Sequence, residues 1–75
     1  MLVKIGYKVT ATLFGGTEVT GKVLSIEICK IGEKYGRSVK TCNLEKHSNG
    51  VLILDCNHWC YFYQVKSVES QNSYI

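Results

Sequence analysis

Residues 51–63 read VLILDCNHWCYFY, in which two apolar runs flank a polar segment at residues 55–58. Strand-forming residues on both sides of a short polar break predict a β-hairpin whose reversal lies at residues 55–58. The cross-strand pairs expected from this reversal are Leu54 with Trp59, Ile53 with Cys60, and Leu52 with Tyr61.

Both faces of this hairpin are apolar. Successive side chains of a strand point to opposite sides, which assigns every residue of the hairpin to a face. One face is predicted to carry Leu52, Leu54, Trp59, Tyr61 and Tyr63. The other is predicted to carry Val51, Ile53, Cys60 and Phe62. A small chain has one hydrophobic core and can bury only one of these faces fully, so the other needs a partner, a ligand, or cover from a loop or the tail.

Composition indicates a single folded domain over residues 1–75, because 45% of the 75 residues are hydrophobic and 20% are charged. No apolar run approaches the ~20 residues of a membrane-spanning helix. Lys4 interrupts the apolar N-terminus, which has no signal-peptide cleavage site. We therefore expect a cytoplasmic protein without a membrane partner, whose last residues, about 69–75, fray.

The four cysteines are Cys29, Cys42, Cys56 and Cys60, which would suit two disulfides in a secreted mini-protein. Without an export signal, reduced thiols are expected instead, and Cys29 and Cys42 then act as small hydrophobes. The Cys56-x-His58-x-Cys60 spacing does not predict zinc. Alternate residues of a strand project ~6.6–7 Å apart, whereas zinc ligands bonded at ~2.0–2.3 Å must lie closer together.

The first half of the chain predicts a hairpin with an unusual second strand. Val9, Ala11 and Leu13 alternate with threonines, and Gly15-Gly16 predicts a two-residue turn. The strand that follows, from residue 18 to about 29, has early apolar positions at Val19 and Val23. Its later apolar positions, Leu24, Ile26 and Ile28, have the opposite phase. Such a change requires a bulge or a sharp coil, and Gly21 just before it permits a tight bend.

The remaining elements are shorter. Residues 30–36 predict a loop, residues 37–44 a third strand, and Asn49-Gly50 a turn. Residues 64–68 predict a short 3₁₀ turn and a final strand fragment. A long second strand that bends and serves two sheets is typical of small, strongly curved barrels.

This order of elements resembles the SH3-like barrels, in the broad sense that includes the Tudor-like and Sm-like families. Residues 6–23 (GYKVTATLFGGTEVTGKV) are similar to their opening hairpin, and residues 51–68 to their closing hairpin, short helical turn and last strand. The resemblance implies an all-β domain, a single small five-stranded SH3-like barrel with a strongly bent second strand. The chain lacks the acidic first loop and paired tryptophans of peptide-binding SH3 domains, and the Asp-x-x-Asn-type RNA-binding pattern of Sm proteins. The resemblance therefore concerns fold and not activity.

No enzyme is predicted. The Gly15-Gly16 pair joins two strands and precedes no helix, so it is not a phosphate loop. The cysteines and histidines offer a nucleophile and a base but no sign of an activated thiolate, and the carboxylates are scattered. We expect no catalytic residue, no metal and no cofactor.

Three uses remain open for Trp59, Tyr61 and Tyr63: core residues, a protein interface, or a base-stacking platform. The leading hypothesis is a protein-interaction module that binds a partner or itself. Its interface would comprise Leu52, Leu54, Trp59, Tyr61 and Tyr63. The alternative is a nucleic-acid-binding accessory protein, of a bacterium or a phage, that stacks bases on the aromatic residues. Its phosphate contacts would come from Lys30, Lys34, Arg37 and Lys40, although the net charge of +3 is modest and these residues also suit a solvated loop.

Overall fold

A computed structural model of the chain describes residues 1–28, 36–46 and 49–70. These residues form eight strands and one 3₁₀ helix, at Phe62–Gln64. The strands are β1 (Leu2–Lys4), β2 (Lys8–Thr12), β3 (Glu18–Ile28), β4 (Arg37–Val39), β5 (Thr41–Asn43), β6 (Gly50–Leu54), β7 (Trp59–Tyr61) and β8 (Val65–Glu69). The all-β class predicted from the sequence is confirmed for this part of the chain.

The strands are arranged in two antiparallel sheets. β1 pairs with β5, and the other six strands form a sheet of order β7-β6-β3-β2-β8 in which β4 also pairs with β3. Pairing among the described residues does not close these sheets into a barrel, and the strands number eight where five were predicted. No helix in the described ranges has the length and apolar character needed to span a membrane.

The predicted change of phase in β3 is confirmed. Val23 lies opposite Leu54 and Ser25 lies opposite Ile53, so Leu24 is an extra residue that shifts the register. Such a bulge moves the buried positions from one phase to the other, and Val23 and Ile26 are therefore both buried. Leu24 itself was predicted to be buried and is 58% exposed, because it is the residue that the bulge leaves unpaired.

The turn between β2 and β3 is one residue longer than predicted. The backbone N–H of Leu13 donates to the Thr17 carbonyl at 2.8 Å, which leaves Phe14, Gly15 and Gly16 in the reversal. The N–H of Gly16 closes the turn by donating to the Leu13 carbonyl at 3.0 Å. Both glycines have positive φ, at 92° and 90°, which is the conformation for which glycine was expected.

The predicted register of the β6–β7 hairpin is wrong by one residue. Leu54 donates its N–H to the His58 carbonyl at 2.9 Å, and Asn57 takes a φ of 66°, so the reversal needs only residues 55–57. The observed pairs are Ile53 with Trp59, Leu52 with Cys60, and Val51 with Tyr61. A slip of one residue exchanges the faces of one strand relative to the other.

The slip changes which hairpin residues are accessible. Leu52 and Leu54 were predicted to share a face with Trp59, Tyr61 and Tyr63, and the structure contradicts this. Both leucines are buried, at 0% and 2% exposure. They join a core that also contains Val3, Val9, Ala11, Val23, Ile26, Ile28, Cys42, Cys60 and Phe62.

One row of the sheet crosses four strands and contains three core residues and the partly buried Val39. Val39, Ile26, Leu52 and Cys60 lie opposite one another on β4, β3, β6 and β7. The predicted third strand is divided at Lys40 into β4 and β5, and β5 pairs with β1, a strand that the sequence did not predict. A 3₁₀ helix followed by a last strand is confirmed, and that strand still includes Glu69. Residues 71–75 of the predicted frayed tail lie outside the described residues.

The reversal of the last hairpin is fixed to β3. The N–H of Lys22 donates to the Asp55 carboxylate at 2.9 Å, and the Asp55 N–H donates to the Lys22 carbonyl at 2.9 Å. A hydrogen bond to a charged acceptor contributes about 1.5–3 kcal/mol, less where solvent competes, as it does at this exposed site. The hairpin is therefore held at its tip as well as along its length.

Candidate functional site: an exposed aromatic cluster

Four aromatic side chains lie together on the outer face of the β6–β7 hairpin. They are Phe14, Trp59, Tyr61 and Tyr63, and we call them the aromatic cluster. Tyr61 is central, with ring centroids 5.1 Å from Trp59, 5.4 Å from Tyr63 and 6.1 Å from Phe14. The first and last of these contacts are edge-to-face and the second is a parallel stack, and all three are favoured ring geometries.

The local sequence explains how the cluster forms. Trp59 and Tyr61 flank Cys60 in β7, so the burial of Cys60 turns both rings to the outer face. The chain then enters the 3₁₀ helix, in which Phe62 is buried and Tyr63 faces solvent. The N–H of Tyr61 donates to the Gln64 side-chain oxygen at 2.9 Å and ties the strand end to this turn.

Exposure separates the cluster from the core. Phe14 is 72%, Trp59 50% and Tyr63 69% exposed, and Tyr61 at the centre is half-buried. Single exposed apolar residues are ordinary, but a contiguous apolar patch on a small domain indicates a contact surface. Of the five residues predicted for an interface, Trp59, Tyr61 and Tyr63 lie on this exposed face and Leu52 and Leu54 do not.

The sequence did not predict Phe14 as part of this site. It lies in the turn between β2 and β3, forty-seven residues before Tyr61, and only the tertiary fold brings these two rings together. The sequence feature that could have indicated Phe14 is that a large apolar residue stands beside two turn glycines, where a polar residue is more usual.

Two hollows border the cluster. The first, which we call the Glu27 groove, has a volume of about 370 Å³ and is lined by residues that include Glu27, Ile28, Asn49, Val51, Tyr61 and Tyr63. The second, the His58 groove, has a volume of about 310 Å³ and is lined by Leu13, Phe14, Asn57, His58, Trp59 and Gln64. The aromatic cluster therefore forms a ridge between two grooves, each at the small end of the size range of ligand sites.

Cross-strand pairing determines which charged residues share the outer face. Ser38, Glu27, Val51 and Tyr61 lie opposite one another on β4, β3, β6 and β7. Directly opposed residues of antiparallel strands share a face, so Glu27 lies on the face of Tyr61.

Of the four basic residues predicted for phosphate contacts, the structure describes Arg37 and Lys40. Arg37 is exposed and lies opposite Ile28, in the row next to that of Glu27 and Ser38. Lys40 lies at the bend between β4 and β5, where its carbonyl accepts a hydrogen bond from the Ile5 N–H at 3.2 Å. Lys30 and Lys34 lie outside the described residues.

The described cysteines, Cys42, Cys56 and Cys60, are free thiols. Burial raises the pKa of Cys60 to about 11, with a smaller contribution from the neighbouring Cys56, and burial also raises the pKa of Cys42. Both groups are therefore protonated and poorly nucleophilic near neutral pH. Across the described residues, no group of three His, Cys, Asp or Glu side chains is placed to hold a metal ion.

Comparisons with known proteins give no match, whether to a family model, to a curated protein or to a solved structure. Function must therefore be inferred from the residues of the aromatic cluster and their geometry.

Proposed function

We propose that this chain is a non-catalytic binding module that holds a partner protein against the aromatic cluster. The observation that carries the proposal is that three aromatic rings each contact that of Tyr61 on the exposed face of a hairpin whose other face is core. Tryptophan and tyrosine dominate the binding energy of protein interfaces. A buried aromatic side chain removes about 150–250 Å² from water, so even partial cover of this ridge gives substantial hydrophobic stabilisation.

Pre-organisation supports the same function. Each ring of the cluster already contacts a neighbour, and the hairpin that carries Trp59 and Tyr61 is tied to β3 through Asp55. Ordering a side chain on binding costs about 0.5–1.5 kcal/mol. The rings of this cluster are held in place before a partner arrives, so most of that cost is already met in the folded chain.

We also infer that the fold is an open relative of the SH3-like barrels. In chain order, β2, β3, β6, β7 and β8 follow a meander whose last strand returns beside the first, with a 3₁₀ helix just before it. The bulge at Leu24 gives the second of these strands the bend that such a barrel requires.

A protein partner is favoured over nucleic acid by the surroundings of the cluster. The described residues that line its two grooves include no lysine or arginine, and one of them, Glu27, is acidic. A phosphate backbone requires cationic side chains beside the stacking surface, and Arg37 is not among the described residues that line either groove. Nucleic-acid binding through Lys30, Lys34, Arg37 and Lys40 is therefore the second hypothesis.

Selection from a displayed library of random peptides tests the proposal. The full chain is the bait, and a Trp59→Ala/Tyr63→Ala double variant, checked for folding by circular dichroism, is the counter-selection. Peptides that bind the wild type and not the double variant support a protein-binding surface. Failure to enrich any peptide, together with a monomer in light scattering at all concentrations, overturns it.

A parallel titration separates the two partner classes. Trp59 is the only tryptophan, so its fluorescence reports contact with the cluster directly. Single-stranded DNA and RNA are added at low and high salt, because phosphate contacts give an affinity that falls steeply with salt. Salt-sensitive quenching of Trp59 by either nucleic acid would support the second hypothesis and overturn the first.

A further inference from the structure

The Glu27 groove combines a carboxylate with aromatic ring faces. Glu27 lies two strands from Tyr61 on the same face of the sheet, with Val51 between them. The same groove is bordered by Tyr63, whose ring stacks on Tyr61 and is 69% exposed. Among the described residues that line this groove, Glu27 is the one with a charged side chain.

No ion pair among the described residues involves Glu27, whereas Glu18 pairs with Lys66 and Glu45 with the N-terminal ammonium group. Arg37, which lies opposite Ile28 in the neighbouring row, is exposed and is not among the described residues that line the groove. Within the described chain, the carboxylate of Glu27 is thus available for a cation supplied from outside.

We propose that the Glu27 groove receives an arginine side chain of the partner, an inference that rests on the proposed protein-binding function. The planar guanidinium group would stack on the ring of Tyr63 or Tyr61 and donate hydrogen bonds to the Glu27 carboxylate. Its aliphatic stem would cover Val51. Of the cationic side chains, arginine suits this groove best, because it stacks on aromatic faces and pairs with carboxylates through two parallel N–H donors.

The groove has the properties that this ligand needs. Its volume of about 370 Å³ accommodates a long, thin side chain without a large rearrangement. Asn49 at its edge adds a side-chain oxygen that accepts hydrogen bonds from a guanidinium group. A carboxylate-bearing side chain would instead be repelled by Glu27 and would gain nothing from the negative ring faces. The charge of the groove therefore selects against acidic segments.

Nuclear magnetic resonance with small probes tests this inference without a known partner. N-acetyl-arginine methylamide is titrated into the isotope-labelled full chain, and N-acetyl-citrulline methylamide serves as the neutral probe of nearly the same shape. We expect the arginine probe to shift the signals of Glu27, Val51, Tyr61 and Tyr63 in a saturable way. The citrulline probe should bind about tenfold more weakly, because it lacks the charge-assisted hydrogen bonds.

Two variants make the result specific to the groove. Glu27→Gln keeps the size of the side chain and should bring the affinity for the arginine probe down to that for citrulline. Glu69→Gln removes a carboxylate from β8, at the other end of the sheet, and should leave both affinities unchanged. Equal binding of the two probes to the wild type, or an unchanged arginine affinity in Glu27→Gln, overturns the inference.

The peptides selected against the wild-type chain separate this inference from the proposed function. If they bind the aromatic cluster and tolerate replacement of every arginine by citrulline, the groove inference fails and the binding module stands. If no peptide is selected and the chain is a monomer at all concentrations, but the arginine probe binds at Glu27, the groove binds a guanidinium group while the proposed protein-binding function fails.

Discussion

The rings of Tyr61 and Tyr63 stack with their centroids 5.4 Å apart and their planes 7° from parallel, although one residue separates them in the chain. On a continuous strand, such residues project from the same face about 6.6–7 Å apart. Tyr63 instead belongs to the 3₁₀ helix that begins at Phe62, the buried residue between the two tyrosines in the chain. The stack is thus a consequence of ending β7 at Tyr61.

This geometry predicts that Tyr63 contributes to binding and little to stability. Tyr63→Ala should change the free energy of unfolding by no more than about 1 kcal/mol, since the ring is largely exposed and an aromatic pair is worth about 0.5–1.5 kcal/mol. The affinity for the selected peptides should fall about tenfold or more, as for a hot-spot tyrosine. Isothermal titration calorimetry and urea unfolding measure the two effects. Tyr63→Phe, which keeps the ring, is the matched control and should retain most of the affinity; equal losses in the two variants would contradict a stacking role.

Gly16 is predicted to be required for its backbone conformation and not for space. It has a φ of 90°, and a Cβ atom added to it would meet no heavy atom within 4 Å. Gly16→Ala should therefore destabilise the fold by about 1–2 kcal/mol, the cost of a left-handed conformation for an L-residue.

A synthetic chain with D-alanine at position 16 is the decisive comparison for this residue. D-alanine favours positive φ, so this chain should be at least as stable as the wild type in thermal unfolding. If L-alanine and D-alanine destabilise the chain equally, the explanation from backbone conformation is wrong.

Gly50 is predicted to be required for space. A Cβ atom at this position would lie 2.4 and 2.5 Å from two ring carbons of Phe62 and 2.7 Å from the Glu27 carbonyl oxygen. Gly50→Ala should destabilise the domain by about 1–3 kcal/mol, as overpacked cores do. Urea unfolding at neutral pH gives the value.

A double-mutant cycle identifies the partner in this contact. Phe62→Leu alone should be destabilising, because it leaves a cavity beside Gly50. The Gly50→Ala/Phe62→Leu double variant should lose less unfolding free energy than the sum of the losses in the two single variants. The reason is that the smaller leucine side chain accommodates the added methyl group. Strict additivity would show that the Glu27 backbone, and not the Phe62 ring, opposes the methyl group.

The sequence predicts the parts of this fold that depend on neighbouring residues. The alternation of β2, the change of phase in β3 and the final 3₁₀ turn and strand follow from local patterns of apolar residues and glycine, and the structure has all three. The hairpin register was missed because it depends on whether Asn57 adopts a positive φ, and no local pattern decides between a three-residue and a four-residue reversal. Because the reversal is one residue shorter than predicted, Leu52 and Leu54 lie in the core and not in the predicted interface.

Elements formed by long-range contacts were harder to predict. β1 has three residues, two of them exposed, and is a strand only because β5 pairs with it. Phe14 joins the aromatic cluster through the tertiary fold alone. For the candidate site, the aromatic residues of the last hairpin predict Trp59, Tyr61 and Tyr63. Which face of the hairpin is exposed, and that Glu27 lies on it, follows only from the pairing of β3, β6 and β7.

Cys60 is predicted to make stability fall at alkaline pH. Its pKa is raised to about 11, mainly by burial, so in the pH range from about 9 to about 11 the unfolded chain loses the thiol proton that the folded chain keeps. Stability decreases with pH wherever the folded state binds more protons. The contribution of Cys60 is thus fully present below about pH 9 and is lost as the pH rises through about 11. The unfolding free energy, measured with urea in the presence of a reductant, should fall more steeply over this range for the wild type than for Cys60→Ala. Cys56→Ala is the matched control and should keep most of the slope, because burial and not the neighbouring thiol is the larger cause; parallel curves for the wild type and Cys60→Ala would contradict the prediction.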